Sequence, residues 1–349
     1  MLDRRSLLGY ACGEHMAEER APSKGAGIRR RAAYTSLCVA IVLLLAKFEA
    51  YVLTDSKAVL SDALESIVNV VAAAFAIVGI AWSDRPADRN HPYGHGKIEF
   101  FAAAFEGGLI AFAAVAILYE AIAAFFAGTT PRELGLGIAI TLAAGIGNLL
   151  LGLFLIRTGS RHDSLTLVAD GQHVMSDFWT SLGVVLGLLA VAATGQAWLD
   201  PAIACVFAVW LLRTGARLVR KAAGGLLDEE EPELLAELVE ELDTHVGEGV
   251  ISIHFLRAIR AGRYHHVSGH IVVPEFWSVE RAHDVAERVA ERVIADLGIE
   301  GQIEFHTDPC MREYCARCDL ETCSIRAAPF RAKRALTVDD AVEPDKETT

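Results

Sequence analysis

Residues 164 to 194 read SLTLVADGQHVMSDFWTSLGVVLGLLAVAAT. This stretch is long and apolar enough to form a helix that crosses a hydrocarbon core of ~30 Å. It nevertheless contains Asp170, His173 and Asp177, and a charged group at the centre of a bilayer costs about 2.5 to 3.5 kcal/mol on insertion scales. The polar side chains therefore require partners inside a bundle of helices, which the rest of the chain must supply.

The composition predicts a membrane part joined to an acidic soluble part. The chain has 349 residues, 53% of them hydrophobic, and a net charge of -13. Five further apolar stretches are long enough to span a bilayer: residues 34–53, 58–82, 98–127, 134–156 and 198–219. We therefore predict an all-α bundle of six transmembrane helices in residues 31–221, with a membrane lipid bilayer as its surroundings. No nucleic-acid partner is expected.

The basic residues predict the orientation of the bundle. They cluster on one side of the predicted spans: Arg29, Arg30, Arg31, Arg85, Arg89, Lys97, Arg157, Arg161, Arg213, Arg217, Arg220 and Lys221. Because cytoplasmic loops carry the excess of Lys and Arg, both termini are expected in the cytoplasm of a multi-pass inner (plasma) membrane protein. Residues 1–30 lack the apolar core of a secretory signal and are interpreted as a cytoplasmic tail.

The soluble half begins after the acidic run DEEEPE at residues 228–233. The spacing of apolar residues predicts a helix from Pro232 to about His245, and the alternation in ISIHFLRAIR and HHVSGHIVVP predicts two strands. SVERAHDVAERVAERVIADLG predicts a second helix, and IEGQIEFHTDP predicts a last strand. The order αββαβ favours a cytoplasmic α+β, ferredoxin-like domain over residues 222–309. Residues 310–349 are expected to be a Cys-rich segment followed, from Arg326, by a disordered tail.

Polar residues recur at helical spacing in two of the predicted spans. Glu65 and Asn69 lie four residues apart in LSDALESIVNVV, and His173 and Asp177 have the same spacing. Each pair therefore shares one helix face, and two such faces packed together would bring four ligand side chains to one point, the number that a tetrahedral metal accepts. Asp62 and Asp170 precede these pairs by three residues and are expected to flank the site or line its water path. Glu106 has no evident partner in the sequence.

The loop between the second and third spans reads PADRNHPYGHGKIEF. A turn at Pro92 and Gly94 would bring His91 and His95 together with Asp88, which gives a second candidate metal site. The alternative is that these are solvated loop side chains.

The order and spacing of these motifs resemble the cation diffusion facilitator family of divalent metal exporters. The resemblance covers about residues 30 to 310 and includes HxxxD in the fifth span, HPYGHGK in the loop and HTDP at the end of the soluble domain. It implies that the two span motifs form the transport site, that the loop holds a second site and that the chain is a homodimer. It also implies metal ligands in the cytoplasmic domain, at His254, His270, His283, His306 and Asp308. Lys97 and Asp228 match a charge interlock near the dimer interface.

The second span departs from the family pattern, because Asn69 stands where a carboxylate is usual. With Glu65 and Asp177 ionised and His173 neutral, the site balances one divalent cation. Carboxylate and amide oxygens are hard ligands, which shifts preference toward iron(II) and manganese, whereas His173 retains zinc and cobalt. We expect a proton-coupled antiporter for divalent cations, with zinc first. The alternatives are a non-transporting membrane-anchored metal sensor or heterodimer partner. An intramembrane metalloenzyme is disfavoured, because no HExxH motif is present.

A cysteine cluster follows the soluble domain. Cys310, Cys315, Cys318 and Cys323 have the spacing CxxxxCxxCxxxxC. In a reducing cytoplasm they are better interpreted as metal ligands or thiols than as disulfides. One zinc ion, an iron-sulfur cluster and reduced surface thiols all remain open at this point.

Overall fold

The computed structural model describes residues 25–54, 57–127, 136–196 and 198–343, which divide into two compact units at Val219 and Arg220. The first unit contains six long helices: α1 (Ala26–Thr54), α2 (Lys57–Ser83), α3 (Ile98–Ala127), α4 (Leu136–Arg161), α5 (Leu165–Thr194) and α6 (Leu199–Leu226), the last of which continues into the second unit. Within the described residues, all except α5 contain a window apolar enough to span a membrane by length and composition. The predicted helical membrane bundle is confirmed.

The outer surface of the bundle is apolar. Large hydrophobic side chains on several helices are more than half exposed: Val42, Phe112, Tyr119, Leu150 and Val206. In water such a surface would be an aggregation hazard, whereas in a bilayer it faces lipid tails. Polar side chains that are buried, including Asn148, Asp170 and His173, instead lie in the interior of the bundle.

The buried side chain of Glu99 links three helices at the end of the bundle where α2 ends and α3 begins. The carboxylate of Glu99 accepts hydrogen bonds from the hydroxyls of Ser83 (3.1 Å) and Ser164 (2.8 Å). Ser164 is also the N-cap of α5, and its side chain accepts from the backbone nitrogen of Leu167. Such a cap satisfies one of the free N–H groups at a helix start. Glu99 therefore ties together the three helices that carry the polar motifs or lie beside them.

Glycines let α4 and α5 approach closely along their length. A Cβ added to Gly159 of α4 would lie 2.9 Å from the Leu167 side chain, and one added to Gly171 of α5 would lie 2.9 Å from the backbone nitrogen of Ile156. Small residues at such contacts are typical of helix packing in membranes, where close backbone approach supplies the attraction. This packing holds one side of α5 against α4 while α2 and α3 contact the same helix.

The second unit contains α7 (Pro232–Thr244), β1 (Ser252–Ala261), β2 (Tyr264–Val273), α8 (Val279–Leu297) and β3 (Glu300–Pro309). The strands form one sheet in the order β1-β2-β3, with β2 antiparallel to β1 and parallel to β3. A core of aliphatic side chains from the helices and the sheet includes Leu238, Leu242, Ile253, Leu256, Ile271 and Val293. The predicted αββαβ order and small α+β domain are confirmed.

The segment after β3 differs from the expected disordered tail. A short 3-10 helix (Arg312–Ala316) and α9 (Val338–Val342) follow β3. Ala341 is fully buried in the core of the domain, and the backbone nitrogen of Leu336 donates to Asp243 Oδ1 at 2.7 Å. The expectation of disorder therefore fails for residues 326 to 343, because a few apolar side chains among many charges suffice to dock the chain. Residues 344–349 lie outside the described part.

Candidate metal-binding sites

The polar faces of α2 and α5 meet inside the helical unit. The side-chain nitrogen of Asn69 donates to Asp177 Oδ2 at 2.5 Å, and His173 Nε2 lies 3.1 Å from Asn69 Oδ1. His173 and Asp177 are 4% and 8% exposed. The structure thus brings three of the four predicted transport ligands together. Glu65 and Asp62 lie on the first half of α2, but their side chains fall outside the described part of the structure.

The hydrogen bonds in this cluster use the same atoms that a cation would use. Asn69 Oδ1 can only accept, so His173 Nε2 carries the proton in this arrangement. His173 Nδ1 makes no hydrogen bond within the described residues. A metal that binds His173 Nε2 needs its lone pair, so the Asn69 contact must break and the Nε2 proton must move to Nδ1 or, from a doubly protonated imidazole, leave to solvent. Metal and proton therefore compete for one nitrogen.

Two more buried carboxylates lie beside this cluster. Asp170 is one turn before His173 and lies next to Ser36 of α1. Glu106 of α3 is fully buried, interacts electrostatically with Asp170 and Asp177, and its oxygens make no hydrogen bond within the described chain. Asp170 thus lies beside the cluster, and its predicted role in flanking the site stays a prediction. Glu106 was missed, because a lone glutamate in an apolar helix has a partner only after α3 packs against α5.

The loop before α3 gathers the second predicted set. His91 Nδ1 lies 3.1 Å from Asp88 Oδ1, His95 Nε2 lies 3.4 Å from Asp88 Oδ2, and the two imidazole centroids are 4.3 Å apart. The backbone N–H of His91 donates to Asp88 and lowers the pKa of its carboxyl group. Asp88 and His91 are exposed, so a cation would reach this set from solvent without crossing the bundle.

A third set forms across the sheet of the C-terminal domain. His254, His270 and His306 are register partners on β1, β2 and β3, and Asp308 lies two residues farther along β3 on the same face. Asp308 Oδ2 is 2.9 Å from His270 Nδ1 and 3.5 Å from His254 Nε2, and Asp308 Oδ1 is 3.3 Å from His306 Nε2. Three imidazoles and one carboxylate therefore converge on one sheet face, a ligand set suited to zinc.

A β-bulge in β1 shapes this third set. The register shifts between His254 and Arg257, and Phe255 has a φ of 52°, a conformation unusual for a bulky residue. The Phe255 ring packs edge-on against His270, with centroids 5.4 Å apart. Its backbone nitrogen donates to the carbonyl of Glu343 in the tail. Bulges next to functional sites re-aim side chains, and here the bulge lies directly beside a predicted ligand.

Three of the residues predicted from the resemblance do not join these sets. His283 lies on the exposed face of α8, 72% exposed, with Glu287 Oε2 3.7 Å from its Nε2. Lys97 precedes α3 and Asp228 follows α6, so they belong to different units of the chain. Their charge interlock and the role of His283 stay predictions.

The structure adds one cluster that the sequence did not single out. Glu241, His245 and Asp296 present ligand atoms within 4.8 Å of one another, as do the loop set and the group formed by His254, His270 and Asp308. His245 Nε2 lies 3.7 Å from Glu241 Oε1. Glu241 and His245 are four residues apart at the end of α7, which was a detectable signal. Asp296 reaches them only because α8 packs beside α7.

The cysteine segment contains free thiols, three of them buried. Burial raises the pKa of the Cys310 and Cys318 thiols. These two are therefore protonated at neutral pH unless something replaces their protons, and they lack the lowered pKa of reactive cysteines.

Comparisons with known proteins agree with these observations. The family model of the cation efflux transmembrane domain matches residues 33–227, and that of the cation efflux protein cytoplasmic domain matches residues 231–310. An uncharacterized transporter of Synechocystis is 35% identical over 284 residues, 81% of this chain and 91% of that protein.

Two further relatives are called cation-efflux pump FieF. The Escherichia fergusonii protein is 28% identical over 280 residues, 80% of this chain and 92% of the relative. The Serratia proteamaculans protein is 27% identical over 281 residues, 80% of this chain and 93% of the relative. Together with the buried polar cluster between α2 and α5, these matches show that the chain belongs to the cation diffusion facilitator family of divalent metal transporters.

Proposed function

We propose that this chain is a homodimeric, proton-coupled antiporter that exports zinc from the cytoplasm across the inner membrane. The observation that carries the proposal is the contact of Asn69, His173 and Asp177 inside the helical unit. Polar side chains such as those of α5 are unfavourable in a bilayer. Their presence is explained if they line a path for a cation. The FieF relatives are called cation-efflux pumps, which supports the direction of transport.

Proton coupling follows from the chemistry of the ligands. A cation requires Asp177 ionised and a lone pair on His173 Nε2, so binding releases protons from the site. When the site opens to the opposite face, protons compete for the same atoms and release the metal. Rocking of helices about a site near the bilayer midplane is the general way in which such access alternates.

Zinc is the favoured substrate because imidazole and carboxylate form its common tetrahedral sites. Asn69 provides a neutral, hard oxygen in place of a charge, which retains iron(II), manganese and cobalt as alternative substrates. Glu65 completes the proposed ligand set from α2.

The C-terminal domain is proposed to sense cytoplasmic metal. Its His254, His270, His306 and Asp308 set lies within the matched cytoplasmic domain. A metal that binds the associated form more tightly must favour the dimer, by mass action. Filling this set would therefore strengthen the homodimer at high cytoplasmic zinc.

The test is flux in liposomes that contain a zinc-sensitive dye. We expect zinc flux to rise when a pH gradient is imposed and to fall when the gradient is collapsed with an ionophore. A second function, a membrane-anchored sensor, is favoured by the hydrogen bonds that Asn69 makes to both other ligands. Zinc binding without flux under any gradient would support the sensor and overturn the transporter. Flux that ignores the pH gradient would overturn the coupling alone.

A further inference from the structure

Four cysteines after β3 line one small cavity in the C-terminal domain. Cys310, Cys315 and Cys318 are buried and Cys323 is partly buried. The cavity has a volume of about 10 Å³, which is room for about one water-sized particle. A space of this size accommodates a single ion.

The segment that carries the thiols is anchored on the sheet. The backbone nitrogen of Cys310 donates to the carbonyl of Val273 at 2.8 Å, which extends the β2–β3 pairing by one residue. Tyr314 is 2% exposed and packs with Cys310 and Cys318 against Ile251 and Val272 of the sheet. One side of the cavity is therefore packed on the sheet whose strands carry the histidine set.

An arginine holds the other side of the cavity. Arg326 donates to the backbone carbonyls of Cys315 (3.1 Å), Cys318 (3.1 Å) and Leu320 (2.6 Å). The backbone nitrogen of Ala327 lies 3.3 Å from Cys315 Sγ and donates to it. Hydrogen bonds from N–H groups favour an anionic sulfur over a neutral thiol. These contacts curl the chain around the thiols although it contains little regular secondary structure.

The charges around the cavity suit a thiolate site. Arg326 interacts electrostatically with Cys318, and Arg312 interacts with Cys310 and Cys315. Four thiolates and one divalent cation carry a net charge of two minus, which the two guanidinium groups offset. Glu275, which pairs with Arg312 at 2.8 Å, and Asp319, which interacts electrostatically with Cys318, carry negative charges that oppose this compensation.

We propose that Cys310, Cys315, Cys318 and Cys323 bind one zinc-class divalent ion, a structural site that fastens the segment after β3 to the sheet. Four S–H protons leave to solvent as four metal–sulfur bonds form, and no oxidant is required. The sulfur atoms lie farther apart than the ligand atoms of the three His and carboxylate sets described above, which are within 4.8 Å of one another. Binding would draw the sulfurs to about 2.3 Å from the ion. Because Cys310 lies two residues after Asp308, the ion would also brace the histidine set.

The test uses the full-length protein in detergent, titrated with Co²⁺ as the only added metal. Thiolate ligation produces a sulfur-to-cobalt charge-transfer band that histidine and carboxylate ligands do not produce. We expect this band in the wild-type protein, its loss in Cys318→Ser, and its disappearance when Zn²⁺ displaces Co²⁺. Cys38→Ser, which changes an exposed thiol on α1, is the matched control and should retain the band.

Three results would overturn the proposal. They are the absence of the band in the wild type, its persistence in Cys318→Ser, and iron with acid-labile sulfide in the purified protein. If Cys318→Ser does not fold, Cys323→Ser removes the least buried of the four thiols and gives the same readout. The measurement is independent of transport, so its failure and the failure of zinc export are distinguishable.

Discussion

The helical unit and the C-terminal domain both place imidazole beside carboxylate, but the two sets differ in how far they are open to solvent. His173 and Asp177 are almost completely buried, whereas the side chains of the C-terminal set range from 10% exposed at His254 to 70% exposed at His306. The two sets are also built differently. The intramembrane set comes from residues four apart on two helices, and the C-terminal set comes from three register partners on adjacent strands.

The difference in burial affects how each set binds and releases a cation. A buried set has lost its water, so its charges interact strongly and an added or removed proton changes its affinity greatly. A set that is open to solvent on one side, as the C-terminal set is at His306, exchanges metal with solvent and needs no change of access. The first arrangement suits a transport site that must bind and release, and the second suits a sensor that reports concentration.

The largest effect is expected from Asp177→Asn. The amide keeps the shape of the side chain and removes the charge that a divalent cation requires. We expect zinc flux to fall by at least the ~10–100-fold that changes of outer-shell partners cause in metal sites. Thr180→Val, one turn along α5, removes only a hydroxyl bonded to the Asp177 carbonyl and should retain flux. Equal flux in the two variants, measured in liposomes, would remove Asp177 from the site.

Asn69→Asp should have the next largest effect. A carboxylate in place of the amide adds a negative charge and a titratable proton, so zinc affinity should rise and transport should depend more steeply on pH. Tighter binding need not increase the transport rate, since the metal must also leave. Calorimetry and thermal unfolding together decide the matter: if Asn69 only packs between helices, the variant loses stability and its zinc affinity is unchanged.

A smaller effect on flux is expected from His270→Ala, which removes the central member of the C-terminal set. Zinc binding to the C-terminal set should weaken about 10-fold or more, and the zinc-dependent tightening of the dimer should diminish. Arg288→Ala, which truncates an exposed side chain of α8 outside every predicted ligand set, is the control. Sedimentation with and without zinc measures the dimer, and equal behaviour of the two variants would count against the proposed sensor.

The smallest effect on transport is expected from Ala341→Asp in the tail. A buried carboxylate without a partner should undock α9 and withdraw the Glu343 carbonyl from the bulge at Phe255. The thermal stability of the C-terminal domain should fall, whereas flux at saturating zinc should change little. Val338→Asp, at a partly exposed position of the same helix, is the control. Unaltered stability in Ala341→Asp would contradict the docking of the tail.

The sequence predicts those features that depend on local periodicity. Four-residue spacing identified the shared faces of Asn69, His173 and Asp177, and alternation identified β1 and β2 with their histidines. Features that depend on packing between distant elements could not be predicted from the sequence. Glu106 acquires its neighbours only when α3 meets α5, and the bulge at Phe255 is not encoded by any turn residue. The segment after Arg326 is mostly charged, so its composition did not predict that a few apolar residues dock it on the domain.

The most direct test of the central claim compares His173→Ala with His254→Ala in the same liposome assay. Both variants remove one imidazole, but one lies inside the helical unit and the other on the sheet of the C-terminal domain. Zinc flux under a fixed pH gradient is the measurement, with protein insertion and folding checked for each. We predict that flux is lost in His173→Ala and persists in His254→Ala with a weaker response to zinc concentration. Full flux in His173→Ala would contradict the assignment of the transport site.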